Sequence, residues 1–224
     1  MRIHPRAVIF DYGNVLSQSQ LSSEVEALAE IVGLPVSRFS EMYWRFRVSY
    51  DAAELDPATY WKTVAQASAH DVAPSQIGQL IEIDSRSWCH PAPVVPQWAR
   101  DIRRAGVRTA LLSNMPQTVR QAVEQSGWLP DFDFRTYSCD LGVCKPAAEI
   151  YLHCLNELGV EPSEALFLDD RAANVRGAEV VGMHALLFTS LLEAGEEMED
   201  RFELPVPLVV AARAAVTLPR GGAH

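Results

Sequence analysis

Three short apolar runs in this chain each stop at a polar step capable of chemistry. Residues 7–10 read Ala-Val-Ile-Phe and stop at Asp11-Tyr12-Gly13-Asn14, residues 107–112 stop at Ser113-Asn114, and residues 165–168 stop at Asp169-Asp170. A short continuous apolar run, rich in β-formers and bounded by turn residues, marks a strand buried on both faces. Residues 184–188 give a fourth run and residues 134–138 a weaker fifth. Helical patterns lie between them at 94–105, 118–126, 147–158 and 172–181, ending at Gly106, Gly127, Gly159 and Gly182, as left-handed caps require. Strands and helices in alternation predict an α/β fold, a Rossmann-like parallel sheet flanked by helices. Such sheets bind ligands at the carboxyl ends of their strands, so the three polar stops point to one site.

Residues 17–90 break the alternation. They show helix-like stretches at 21–32, 36–50, 57–70 and 74–88, with Pro35, Pro57 and Pro74 expected in first turns. Pro91, Pro93 and Pro96 mark the return to alternation. The expected organisation is an α/β core from residues 1–16 and 91–224, with residues 17–90 forming a small helical cap inserted after the first strand. Tyr43, Trp44, Tyr60 and Trp61 are expected in the core of that insert, because aromatics at helical spacing are most often buried. Arg45 and Arg47 read as solvated surface charge, with Arg47 a candidate substrate anchor. The acidic run 193–203 reads as a solvated face or loop, and the tail 221–224 as disordered.

Composition narrows the function. A formal charge of −10 and a pI near 5.0 argue against nucleic acid as a partner, since an acidic surface repels phosphate backbones. A small anionic substrate remains compatible, because local cations can override the global field. Cys89, Cys139, Cys144 and Cys154 form no C-x-x-C pair and read as reduced thiols. The apolar run before Asp11 is too short for a signal peptide, and no apolar stretch is long enough to span a bilayer. A cytoplasmic protein, monomer or homodimer and with no membrane partner, is expected.

A carboxylate at a strand end can attack a phosphoryl group and form an aspartyl-phosphate. That attack brings two anions together and needs cations and hydrogen-bond donors. Mg²⁺ takes oxygen ligands, commonly one or two carboxylates with phosphate and water, and Asp11 with Asp169 or Asp170 could supply them. Lys145 could neutralise the phosphate or Asp11, while Ser113 and the Asn114 backbone amide could donate to the phosphate. Each piece alone has an ordinary meaning: Asp-x-Gly as a turn, Lys-Pro at a helix start, an acidic pair as a cap. Their order on a parallel-sheet pattern is what gives them weight.

The segments Phe10-Asp11-Tyr12-Gly13-Asn14-Val15-Leu16, Leu112-Ser113-Asn114, Gly142-Val143-Cys144-Lys145-Pro146 and Phe167-Leu168-Asp169-Asp170 resemble the four ordered motifs of the haloacid-dehalogenase-like superfamily. Within it, the chain is most similar to the sugar-1-phosphate phosphatases and the phosphatase domain of soluble epoxide hydrolases. The resemblance implies a magnesium-dependent hydrolase of small phosphorylated metabolites. Asp11 would be nucleophile and metal ligand, and Gly13 a ligand through its carbonyl. Asp170 would be a direct ligand, with Asp169 beside it, direct or through water. Ser113 and Asn114 would hold the phosphate, Lys145 would pair with phosphate and Asp11, and Asn174 would hold Lys145 or the metal's water shell.

One departure stands out. Most phosphatases of the superfamily carry a second Asp two residues after the nucleophile as general acid and base, and here that position is Gly13. Losing such a group typically costs ~10²–10⁴-fold in rate. His90, His70, Asp51 and Glu54 are the candidates in the insert, and the sequence does not choose among them. The rival readings are a phosphotransferase or mutase, a 2-haloacid dehalogenase, and an inactive phosphate-binding protein that keeps the site.

Overall fold

The computed structural model describes residues 2–66 and 71–207. Five strands, β1 (Ala7–Phe10), β2 (Arg108–Ser113), β3 (Phe134–Tyr137), β4 (Ala165–Asp169) and β5 (His184–Leu187), form one parallel sheet in the order β3-β2-β1-β4-β5. The three strands that stop at polar steps are therefore neighbours, with β1 in the middle. Phe10 pairs with Leu111 on one side and Leu168 on the other, so Asp11 comes level with the ends of both flanking strands. The chain fills β1 to β3 in one direction and then crosses β1 to β4 and β5, which places the β1–β4 gap at the switch point where such sheets open a crevice.

After β1 the chain forms α1 (Ser22–Val32), α2 (Val36–Arg45), α3 (Arg47–Asp51), α4 (Pro57–Ala65) and α5 (Pro74–Ser87). The remainder supplies α6 (Val95–Arg104), α7 (Gln117–Gln125), the short turn α8 (Ser138–Leu141), α9 (Ala148–Leu158), α10 (Ala172–Val180) and α11 (Leu191–Arg201). The strand runs are apolar throughout because both sheet faces are covered. Val8 and Phe10 pack with Trp98 and Ile102 of α6, Val119 of α7 and Met198 of α11, whereas Ala7 and Ile9 pack with Ile150 and Cys154 of α9 and Ala178 of α10. Burying a large apolar side chain contributes roughly 1.5–3 kcal/mol, so the sheet is a rigid platform for what lies at its end.

Residues 17–90 gather a separate apolar cluster that includes Leu28, Val32, Phe39, Tyr43, Tyr60, Trp61, Val64 and Leu80. The two chain segments that join it to the sheet lie side by side: Ser17 bridges Pro91, Gln18 N–H donates to His90 O at 2.8 Å, and Ala92 N–H donates to Leu16 O at 2.8 Å.

The structure corrects several expectations. The pattern at 36–50 is two helices, because Phe46 leaves the helical region at φ −106°, ψ 1°. Pro57 and Pro74 do open helices, but Pro35 caps α2 from outside it. Residues 67–70, His70 among them, and the tail 221–224 lie outside the described residues. The acidic run is a solvated face, as expected, and not a loop: it lies on α11, with Ala194 and Met198 buried and its charges outward. No helix among the described residues is long and apolar enough to cross a membrane.

Candidate active site

The three strand ends and one loop converge on a buried lysine. Lys145, in the loop before α9, donates from Nζ to Asp11 Oδ1 at 2.6 Å, to Asp169 Oδ2 at 2.7 Å and to Leu112 O at 2.9 Å. Asn114 fixes the lysine's backbone: its Oδ1 accepts from Lys145 N–H at 2.8 Å, and its Nδ2 donates to Lys145 O at 3.0 Å. The Asn114 side chain thus positions Lys145, which leaves its main-chain amide for the phosphate role the resemblance implies. Ser113 and Asn114 both line the cavity beside Asp11.

Asp169 is fully occupied. Asn174 Nδ2 donates to both its oxygens at 3.0 Å, and Arg171 N–H donates to Oδ1 at 2.8 Å. Asn174 therefore holds Asp169, which in turn holds Lys145; its side chain makes no hydrogen bond to Lys145 itself, as the first alternative for it would need. Asp170 is tethered differently. Asn14 Nδ2 donates to its Oδ2 at 2.8 Å, and Ser19 Oγ donates to Asn14 Oδ1 at 2.7 Å. Asn14 reaches there because it sits at φ 59°, a left-handed conformation that Asn tolerates better than most residues. Sequence reading gave Asn14 no role; an Asn at a sharp turn after the nucleophile is the signal that could have flagged it.

The electrostatics call for a cation. With all groups ionised, Asp11, Asp169 and Asp170 outweigh Lys145 by two charges. The Asp11 carboxyl is pushed up to about 7 by burial first and by the charge of Asp169 second, with Lys145 pulling it back. Asp170 is raised too, by burial. Lys145 lies above its usual range: burial works to lower it, and its two carboxylate partners prevail. Ligand oxygens of Asp11, Asp169 and Asp170 lie within 4.8 Å of one another. A hard, all-oxygen set of this kind fits Mg²⁺. Gly13 lines the same cavity.

The cavity measures about 90 Å³, and its far wall comes from the helical segment: Trp44, Arg47, Asp51 and Trp88. A wider groove of about 790 Å³ runs past residues 17–22 but carries no titratable side chain, so the chemistry belongs to the smaller space. Arg47 is 5% exposed, not solvated. Its Nε donates to Asp51 Oδ1 at 2.8 Å, and its Nη1 donates to Asp84 Oδ2 at 3.2 Å and to Tyr43 Oη. Tyr43 Oη donates to Asp84 Oδ1 at 2.6 Å. Tyr43, Tyr60 and Trp61 are core as expected, and Arg45 is exposed. Trp44 is not core: it is 50% exposed and packs edge-on to Trp88 over the site. Of the candidate acid/base groups, only Asp51 lines the cavity among the described residues; His90 is paired with Glu24 at 3.1 Å, and Glu54 is not in the lining. Trp88 also crowds position 13, where a Cβ would stand 3.3 Å from the indole ring.

Strand ends that present an Asp, a Ser-Asn step and an acidic pair around one lysine match the four-motif pattern in space as in order. A family profile described as haloacid dehalogenase-like hydrolase matches residues 5–182. The chain belongs to that family. The hydrolase is 27% identical to Phosphatase MT3486 of Mycobacterium tuberculosis (strain CDC 1551 / Oshkosh) over 81% of this chain and 86% of the relative. It is 34% identical to mouse acyl-CoA dehydrogenase family member 10 over 53% of this chain, but spans only 11% of that longer protein. Among solved structures, a HAD family enzyme from Bacteroides thetaiotaomicron, in complex with magnesium and inorganic phosphate, superposes with a TM-score of 0.58 at 19% identity, over 83% of this chain and 93% of that one. Haloacid dehalogenases share the fold as well, so fold alone does not choose between a phosphate ester and a carbon–halogen bond.

Proposed function

We propose that this hydrolase is a magnesium-dependent phosphatase that cleaves a small phosphate monoester through an aspartyl-phosphate on Asp11. The observation that carries the reading is a buried lysine paired with two carboxylates, Asp11 and Asp169, and a third, Asp170, whose ligand oxygen lies within 4.8 Å of theirs. Expelling a halide needs no such excess of negative charge. Binding a phosphate through a divalent cation does. Magnesium, held by Asp11, Asp170, the Gly13 carbonyl and Asp169 directly or through water, would supply charge neutralisation at the phosphoryl oxygens.

The chain's own groups do the rest. Lys145, its three N–H groups taken by Asp11, Asp169 and Leu112 O, keeps Asp11 aimed and sets a positive charge beside the phosphoryl group, Ser113 and the Asn114 amide take phosphoryl oxygens, and an Asp11 oxygen attacks in line. Residues 17–90 act as a cap that covers the site and excludes water, with residues 1–16 and 91–224 as the catalytic domain. Arg47, in the cap wall, faces the substrate's far end. The substrate class is a small phosphorylated metabolite of the cytoplasm, with sugar phosphates first. A screen of sugar phosphates with Mg²⁺ or EDTA, beside Asp11→Asn, tests this. Activity should vanish with EDTA and in the Asn variant; turnover that persists in Asp11→Asn means another nucleophile.

A further inference from the structure

Cleaving an alkyl phosphate expels an alkoxide, which leaves readily only as it gains a proton. The sheet side of the cavity offers no acid for this. Asp11, Asp169 and Asp170 belong to the cation cluster, Lys145 is locked between two of them, and Gly13 has no side chain. The room beside Gly13 is filled by the Trp88 indole. The facing wall carries one carboxyl, that of Asp51 at the end of α3. It is buried and held from both sides. Arg47 Nε donates to Oδ1, while Ser138 Oγ, from the sheet domain, donates to its main-chain carbonyl at 2.7 Å. Oδ2 takes no hydrogen bond among the described residues.

We propose that Asp51 is the general acid and base of this active site, acting through Oδ2 while Arg47 fixes Oδ1. This rests on the phosphatase reading above. First, an Asp11 oxygen bonds to phosphorus as the bond from phosphorus to the ester oxygen breaks. The Asp51 proton passes to the departing oxygen and gives a neutral alcohol. Then a water oxygen bonds to phosphorus, its proton passes to Asp51, and the bond from phosphorus to Asp11 breaks. Inorganic phosphate leaves, with Asp11 again a carboxylate and Asp51 again an acid. The groups that set the proton affinity of Asp51 are Arg47 on its own helix, Asp84 on α5 and Arg171 after β4. Burial, opposed by Arg47, brings this carboxyl up to about 6, close enough to neutrality to serve both halves.

The test compares an alkyl phosphate with p-nitrophenyl phosphate, whose leaving group needs no proton, in wild type and Asp51→Asn with Mg²⁺. The Asn variant should lose ~10²–10⁴-fold in turnover of the alkyl ester. With the aryl ester it should release about one equivalent of nitrophenolate in a burst, then stall as the phosphoenzyme. Equal losses on both esters without a burst, or no loss on either, overturn the proposal. If Asp51→Asn fails to fold by circular dichroism, Asp51→Glu replaces it, and its loss must again be larger on the alkyl ester. Wild-type protein inert towards both esters would sink the phosphatase reading itself, a result distinct from any of these.

Discussion

Two buried clusters face each other across the cavity, and each sets one cation between two carboxylates. At the sheet's end Lys145 sits between Asp11 and Asp169; in the helical segment Arg47 sits between Asp51 and Asp84. The difference lies in what each cluster still lacks. Arg47 has five donors in a fixed fork, and Tyr43 supplies a further hydrogen bond to Asp84, so that cluster is nearly self-sufficient. Lys145 is a single point charge, and Asp170 adds a third carboxylate nearby. One cluster is a strut; the other is a socket left with an excess of negative charge.

The largest expected effects come from removing the cation on either side. Lys145→Met and Arg47→Met should each cost ~3–5 kcal/mol, because each strands buried carboxylates. Thermal melting with and without Mg²⁺ tells the clusters apart: the ion should recover part of the loss in Lys145→Met and none in Arg47→Met. Equal recovery in both would erase the distinction. Next come the two halves of the acidic pair. Asp170→Ala should weaken Mg²⁺ binding more than Asp169→Ala, while Asp169→Ala should lower the melting temperature more, since it strands Lys145 and Asn174. Mg²⁺ titration beside melting would reveal a reversed order.

A smaller effect is expected at Gly177 in α10. A Cβ there would come within 2.8 Å of Pro146 Cβ and O and 3.0 Å of Tyr151 Oη, pushing α10 off the loop that carries Lys145. Gly177→Ala should cost ~1–3 kcal/mol, read by denaturant melts. The mildest test is pH. Asp11 is raised above its unfolded value, so without metal it favours the folded state at low pH, and that contribution fades as pH rises from about 4 to about 7. Metal needs the carboxylate, so Mg²⁺ should bind more tightly from pH 6 to pH 8 and release protons as it binds. Calorimetry in buffers of different ionisation heat measures this, and pH-independent affinity would place Asp11 outside the metal site.

The socket was legible in the sequence and the strut was not, for a physical reason. Strands buried on both faces write themselves as unbroken apolar runs, so polar residues at their ends stand out at once. Asp11, Ser113-Asn114 and Asp169-Asp170 were visible that way, and the parallel sheet then dictated that they meet. On helices, exposed and buried polar groups obey the same spacing. Arg47 looks like any surface arginine until Phe46 breaks the helix and turns it inward. Trp44 and Trp61 are both aromatic at helical positions, yet one roofs the cavity and the other is sealed in the core. Asp84 pairs with a residue 37 positions away, which no periodicity announces.

The contact between Gly13 and Trp88 also constrains how this hydrolase can change. A Cβ at position 13 would stand 3.3 Å from the Trp88 ring, a tighter contact than side chains normally make. A side chain at position 13 therefore requires the indole to give by a few tenths of an ångström. The loop after β1 and the ring at position 88 are thus coupled in space, so a change at either alters the fit of the other, across 75 positions of sequence.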